Sequence, residues 1–385
     1  MKSKCRSSVV NQSDAPVVSR KQFLHRCAEG LGAVALLAAA GPFASAQSIS
    51  ATQPAAGEAP TYDLRDFVRW IIEEFEPSVR LPGPAGHYAR TVGGGLELYG
   101  TSDMACILYT IGRLRPTEKE RAQWADAFQT FQNPDTGYLI EKDPTHAPLH
   151  NTAFALAAMQ LLNLTPKYPL KIASEFQSPR AYLSQLDWKK AVYNESHKGA
   201  GIGAIFALCP GLGSPAWFAE YFAACESLFD PRNGLMGQDK PAGGDSDQVG
   251  GTFHYSFLFN HFNRRMPYPQ PRIDAVLGTQ QADGYWRPDN HLWLTLDAMY
   301  LMTRTLRYCD YRAQDVRAAV RGIMRRAMAE FYSPRGRGKS FTGHLQVHLV
   351  TCAISIAAEA QQFLGAQEVI TDWPLRLVLD RRPFI

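Results

Sequence analysis

The sequence predicts an all-α fold of six helical hairpins closed into a ring. Three observations carry this. A histidine recurs at His150, His197, His254, His291 and His344, at intervals of 47, 57, 37 and 53 residues, each near the expected start of an apolar helix. A repeat of that length marks one supersecondary unit used many times. The turns agree, because Asn133-Pro-Asp-Thr-Gly137, Asp230-Pro-Arg-Asn-Gly234, Ala282-Asp-Gly284 and Ser333-Pro-Arg-Gly336 each join an amphipathic stretch to an apolar one. Strand signals are scarce, and no Asn-Gly or Asp-Gly lies between two alternating runs.

Taken in order, six stretches with charged faces, 62–79, 117–132, 178–190, 215–229, 271–281 and 312–332, are each followed by a less charged one: 100–113, 150–164, 197–208, 247–263, 291–307 and 344–363. A helix facing solvent keeps a polar stripe, whereas one packed on both sides is apolar nearly all round. Ala153-Phe-Ala-Leu-Ala-Ala-Met159 and Leu349-Val-Thr-Cys-Ala-Ile-Ser-Ile-Ala-Ala358 are of the second kind. A closed ring of six such pairs needs no polar capping repeats; an open stack would.

Residues 1–46 lie outside this pattern and have the regions of a signal peptide. A basic segment ends in Ser19-Arg-Lys-Gln-Phe-Leu-His25, an Ala-rich apolar run covers 31–40, and Ala44-Ser-Ala46 suits signal peptidase. The run is too short to span a membrane. Its long basic region resembles a twin-arginine signal in which Lys21 replaces the second arginine. Residues 47–60 read as a linker and 61–385 as the single helical domain, periplasmic or secreted.

The leader carries six basic residues (Lys2, Lys4, Arg6, Arg20, Lys21, Arg26) and two acidic ones (Asp14, Glu29), so without it the formal charge falls from +4 to zero. Nothing argues for nucleic-acid binding through a basic stripe. A polyanionic substrate would meet local arginines instead of a global field. No later stretch reads as a membrane helix, so no membrane insertion of the mature chain is expected. Cys106, Cys209, Cys225, Cys309 and Cys352 are odd in number and lack CxxC spacing, which points to packing roles.

The paired helices, with the phrases Gln132-Asn-Pro-Asp-Thr-Gly137 and Gln280-Gln-Ala-Asp-Gly-Tyr-Trp286, resemble the α/α-toroid superfamily. The resemblance covers nearly all of 61–385 and implies an (α/α)6 toroid. That superfamily includes six-hairpin glycosidases, polysaccharide lyases, sugar epimerases, and terpene cyclase and prenyltransferase repeats. One fold hosts many chemistries, so function has to be argued from the site.

In such a toroid the cleft lies where the inner helices begin. The candidates there are Tyr99 and Asp103, then His146, His150 and Asn151, His197, then Asp245, Asp247, His254 and Tyr255, Trp286, Asp289 and His291, and last Arg337 and His344. The fourth hairpin is the densest: the small-residue stretch Gly243-Gly-Asp-Ser-Asp-Gln-Val-Gly-Gly251 reads as a flexible loop, with Thr252-Phe-His-Tyr-Ser256 next to it. A neighbouring imidazole and phenol can divide base and acid work. Toroid lyases resemble this arrangement, which implies His254 and Tyr255 as base and acid with His150 and Asn151 as partners. A glycoside hydrolase would instead need two carboxylates, which Asp103, Asp245, Asp247, Asp289 and Asp297 could supply, Asp103 and Asp247 being the pair assigned. Tyr99, His146, His197, Trp286, Asp289, His291, Arg337 and His344 would bind substrate, with Trp286 as a stacking platform.

The expectation is therefore an exported enzyme acting on a poly- or oligosaccharide, a lyase or a glycoside hydrolase. The alternatives are a non-catalytic carbohydrate-binding toroid and a terpene cyclase or prenyltransferase, for which Asp245-Ser-Asp247 is only a motif fragment. No cofactor is expected. Zinc ligation through His146 with His150, or His344 with His348, lacks a supporting HExxH or Cys-rich pattern, and no metal is assigned.

Overall fold

Several helix starts follow local chemistry. The computed structural model describes residues 61–141, 146–237, 244–286 and 292–382, with backbone alone at 244 and 245. The segments expected to be a signal peptide and a linker, with Asp289 and His291, lie outside these residues, as does the side chain of Asp245. Helix α1 runs Arg65–Trp70, through a π-helical stretch Ile71–Phe75, into Glu76–Val79. There follow α2 (Leu98–Thr110), α3 (Glu118–Gln129), α4 (Pro148–Leu161), α5 (Pro179–Ser184), α6 (Val192–Leu208), α7 (Pro215–Glu226), α8 (Gly244–His261), α9 (Pro269–Gly278) and α10 (Leu292–Thr305). Helix α11 (Ala313–Ala327) continues as a π-helical Met328–Tyr332, and α12 (Pro334–Ser340), α13 (Gln346–Leu364) and α14 (Val378–Arg381) complete the set. Thr117 and Glu120 form a reciprocal capping box at α3, and Ser178, Ser214 and Ser333 cap α5, α7 and α12.

The less charged helices pack in a closed circuit: α2 on α4, then α6, α8, α10 and α13, which returns to α2. They are apolar all round because they have neighbours on every side; in α4 every residue from Leu149 to Met159 is buried. The charged helices lie against these. Helix α3 touches α2 and α4, α9 touches α10 and α11, and α11 touches α13. Helix α11 buries Val316, Val320, Ile323 and Met324 on one stripe and leaves its arginines less covered.

Two sequence expectations need correction, and one segment is added. The stretch expected to be a loop before His254 is already helical from Gly244. Its glycines serve close helix contact: a Cβ on Gly250 would lie 2.5 Å from the Tyr193 ring, and one on Gly251 would lie 2.6 Å from Val192. Among the described residues one segment, Gly343–Leu364, is long and apolar enough to cross a membrane, contrary to the reading that none is; 78% of its apolar window is buried, as suits a central helix of the circuit. The segment after α13, to which the sequence assigned no element, is folded. Strand β2 (Val369–Ile370) pairs in parallel with β1 (Tyr62–Asp63), the Trp373 indole donates to the carbonyl of Ile111, and the amide of Arg376 donates to that of Thr110.

This tail crosses the C-terminal ends of the circuit helices. Asp380 pairs with Arg304 (2.9 Å) and Arg307 (2.7 Å), and Arg304 pairs with the buried Glu359 on α13. Arg382 follows, only 1% exposed, with its guanidinium 5.2 Å from the Phe154 ring. The five cysteines are free, and all but Cys309 are buried, in keeping with packing roles.

Candidate functional site

Polar side chains from all six circuit helices gather on the side of the fold where most of these helices begin. Helix α2 supplies Tyr99 and Asp103, α4 supplies His150 and Asn151, α6 supplies Tyr193, Ser196 and His197, α8 supplies Asp247 and His254, α10 supplies Asp297, and α13 supplies His348. His146, two residues before α4, joins them. Ring centroids of His150 and His197 lie 4.5 Å apart, those of His197 and His254 4.6 Å, and those of His146 and His150 4.4 Å. The Tyr193 ring lies 4.7 Å from His197 and 5.2 Å from His254.

Hydroxyl groups orient two of these imidazoles. The Tyr99 hydroxyl lies 2.7 Å from Nδ1 of His150 and donates to Oδ1 of Asn151 at 3.2 Å. A phenol has one proton; given to Asn151, it leaves the phenolic oxygen to accept from Nδ1–H of His150. Ser196 repeats the device: its Oγ donates to the carbonyl of Tyr193 and lies 2.9 Å from Nδ1 of His254. Both imidazoles are thereby held as the tautomer whose lone pair is on Nε2. Nε2 of His197 is buried and has no hydrogen-bond partner among the described residues, as is true of Nδ2 of Asn151 and Oδ2 of Asp297.

Burial keeps this cluster largely uncharged. It pushes His254 down to about 3 and His146 down to about 4, with neighbouring imidazoles adding to the effect, and it holds His150 and His197 well below the usual histidine range. Burial also holds the Asp297 carboxyl and the Tyr193 phenol well above their ordinary values; Asp297, Cys352 and Asp247 reinforce the shift at Tyr193. His348 is the exception. Burial opposes its charge, yet the Cys352 thiol and the Asp103 carboxylate, 3.2 Å from Nδ1, outweigh it and hold His348 well above the ordinary range.

The sequence candidates divide into two groups. His146, His150, Asn151, His197, His254, Tyr99, Asp103 and Asp247 come together; Asp247 accepts from the amide of Tyr193. Tyr255 does not join them. Consecutive helical residues point about 100° apart, and Tyr255 packs on Trp188 and Tyr221, its hydroxyl seated where a Cβ on Gly199 would be. Trp286 is 1% exposed and donates its indole N–H to Val276, so it is a buried peg and offers no platform. Arg337 stacks on Trp70 and pairs with Asp66 on α1. His344 is exposed and lines a pocket of about 570 Å³ with Arg90, Glu97 and Gln346.

Tyr193, Ser196 and His348 were missing from the sequence-based site. Helix α6 begins five residues before His197, so Tyr193 and Ser196 lie on it, one turn and one residue ahead of His197. His348 was visible only as the i+4 neighbour of His344, and its partner Asp103 is 245 residues away. No protein-family model, curated protein or solved structure matches the chain.

Proposed function

We propose that the helix circuit is an (α/α)6 toroid and that the chain is an exported enzyme cleaving a poly- or oligosaccharide, by β-elimination of a uronate. The carrying observation is the convergence of imidazole and phenol groups from the inner helices at one end of the circuit. In elimination a base removes the proton beside the uronate carboxylate, an acid protonates the departing glycosidic oxygen, and a carbon–carbon double bond remains. His146 and Tyr193 flank His197 at 4.9 and 4.7 Å and supply an imidazole base and a phenol acid. Arg90, 4.7 Å over the Tyr99 ring, provides a cation for the substrate carboxylate.

A specific observation favours hydrolysis as the second reading: two carboxyl groups lie beside Tyr193, Asp247 accepting from its amide and Asp297 meeting, with the Tyr193 ring, the space where a Cβ on Gly250 would be. The products separate the readings. Elimination leaves a conjugated double bond absorbing in the near-ultraviolet; hydrolysis leaves a reducing end without it. A screen of acidic and neutral polysaccharides with both readouts is expected to give near-ultraviolet product from an acidic polymer, reduced on the order of 100-fold by Tyr193→Phe. Reducing ends alone, abolished by Asp247→Asn, would replace elimination with hydrolysis, and binding without product would leave a carbohydrate-binding protein. Export is checked by N-terminal sequencing of the native-host protein, expected to start near Gln47.

A further inference from the structure

We infer that His150, His197 and His254 form a binding site for one divalent first-row transition-metal ion with a nitrogen-ligand preference, zinc(II) being the ion to test. Each histidine comes from a different helix, and one ring nitrogen of each lies within 4.8 Å of the other two. Three points that close fit inside a circle of radius about 2.8 Å, against an imidazole–zinc bond of about 2.1 Å. Ring rotations that move each nitrogen by less than about 1 Å would therefore complete the contacts.

The surroundings are those of a ligand set. Nε2 of His197 is buried without a hydrogen-bond partner among the described residues, a costly arrangement unless something fills it. Tyr99 and Ser196 hold Nδ1 of His150 and His254, and each spends its own proton elsewhere, which directs the Nε2 lone pairs to the ligand role. A metal-bound histidine commonly donates its other ring N–H to such an outer group. Three imidazoles without thiolate suit zinc, cobalt, nickel or copper; magnesium and calcium take oxygen ligands. Three protein ligands leave a coordination position open, the arrangement of a reactive zinc site, not a structural one. His146 and Tyr193 lie beside the ligand rings.

Metal binding stands on this geometry alone, whereas any use of the ion in catalysis rests on the enzymatic reading above. The test uses the untagged full chain, stripped with a chelator and titrated with zinc(II) and with cobalt(II). Expected are one equivalent per chain and a visible cobalt absorption of tetrahedral strength. His197→Asn is expected to weaken binding at least tenfold, and Tyr99→Phe or Ser196→Ala, which remove no ligand, by about 10–100-fold. His344→Asn is expected to leave it unchanged. Folded wild-type protein that takes up neither ion, or equal affinity in the triple His150/His197/His254→Asn variant, would overturn the site. One bound zinc in a protein that cleaves no polysaccharide would keep the site and remove the enzymatic reading. Cleavage by metal-free protein that binds no added ion would do the reverse.

Discussion

The two ends of the helix circuit differ in how they handle buried polarity. Where the tail crosses, Arg304 pairs with Glu359 at 2.5 Å and with Asp380 at 2.9 Å, and Arg304 and Glu359 are only 5% and 1% exposed, although the buried Arg382 guanidinium has no hydrogen-bond partner among the described residues. In the histidine cluster the groups are mostly neutral, and Nε2 of His197, Nδ2 of Asn151 and Oδ2 of Asp297 are buried with no hydrogen-bond partner among the described residues. A removed partner at the first end exposes an uncompensated charge to a dry interior, whereas the second end already carries unmet polar capacity. Unmet capacity in a buried site costs stability and persists where a function uses it. Folding energy and chemistry are thus spatially divided.

This division can be broken most sharply at Arg304. Arg304→Ala strands the Glu359 carboxylate and releases Asp380, and is expected to cost about 3–5 kcal/mol in urea unfolding. The double replacement Arg304→Met, Glu359→Leu should recover most of that loss. If the single variant loses under about 1 kcal/mol, the tail end does not hold the fold. Next is Gly250→Ala, which forces α6 and α8 apart at Tyr193 and is expected to cost about 1–3 kcal/mol by the same measurement. It would also disturb the spacing of His197 and His254, so ligand or substrate affinity should fall with it.

A pH experiment sharpens the same contrast. Burial works against the charged form of Asp380, but Arg304 and Arg307 outweigh it and hold the carboxyl below its ordinary range. A depressed carboxyl contributes stability above its unfolded value, about 3.9, and loses that contribution as pH falls through the lower folded value. Acid unfolding below about pH 4 should therefore weaken in dependence when Asp380 is replaced by Asn. The smallest stability effect is expected at the cluster: His197→Asn should change unfolding by no more than about 1 kcal/mol, while activity falls on the order of 100-fold. Equal losses of stability at both ends would erase the distinction.

The helix pairs were legible because each charged stripe announces a solvent face and each apolar run announces neighbours on all sides. The repeat of His150, His197 and His254 was legible for the same reason, being tied to the spacing of the apolar helices. The start of α6 was not. Tyr193-Asn-Glu-Ser-His197 has no apolar period, and the helix there is fixed by packing on Gly250 and Gly251 of α8. Tyr255 was misplaced because adjacency in sequence was read as adjacency in space, although helical neighbours diverge. The pairing of Asp103 with His348 and the path of the tail depend on ring closure, which no local pattern encodes. The long apolar α13 shows the converse: its composition alone cannot separate a membrane span from a helix enclosed by protein.

The tail has a consequence in time. Strand β2 pairs with β1 across 307 positions, from Tyr62 to Val369, and Asp380 reaches back to α8 and α10. The outermost stitches of the circuit therefore join its earliest and latest residues. Contacts of such sequence separation form slowly, because the loop they close must first be ordered. A nascent chain lacking residues beyond about 365 would already contain all six helices of the circuit, α13 with its packing on α2 included, but would lack the β1–β2 pair and the Asp380 ion pairs that stitch over it. Completion of the fold must then wait until the segment through Arg382 has left the ribosome, and until then the helix ends that the tail covers are open to chaperones.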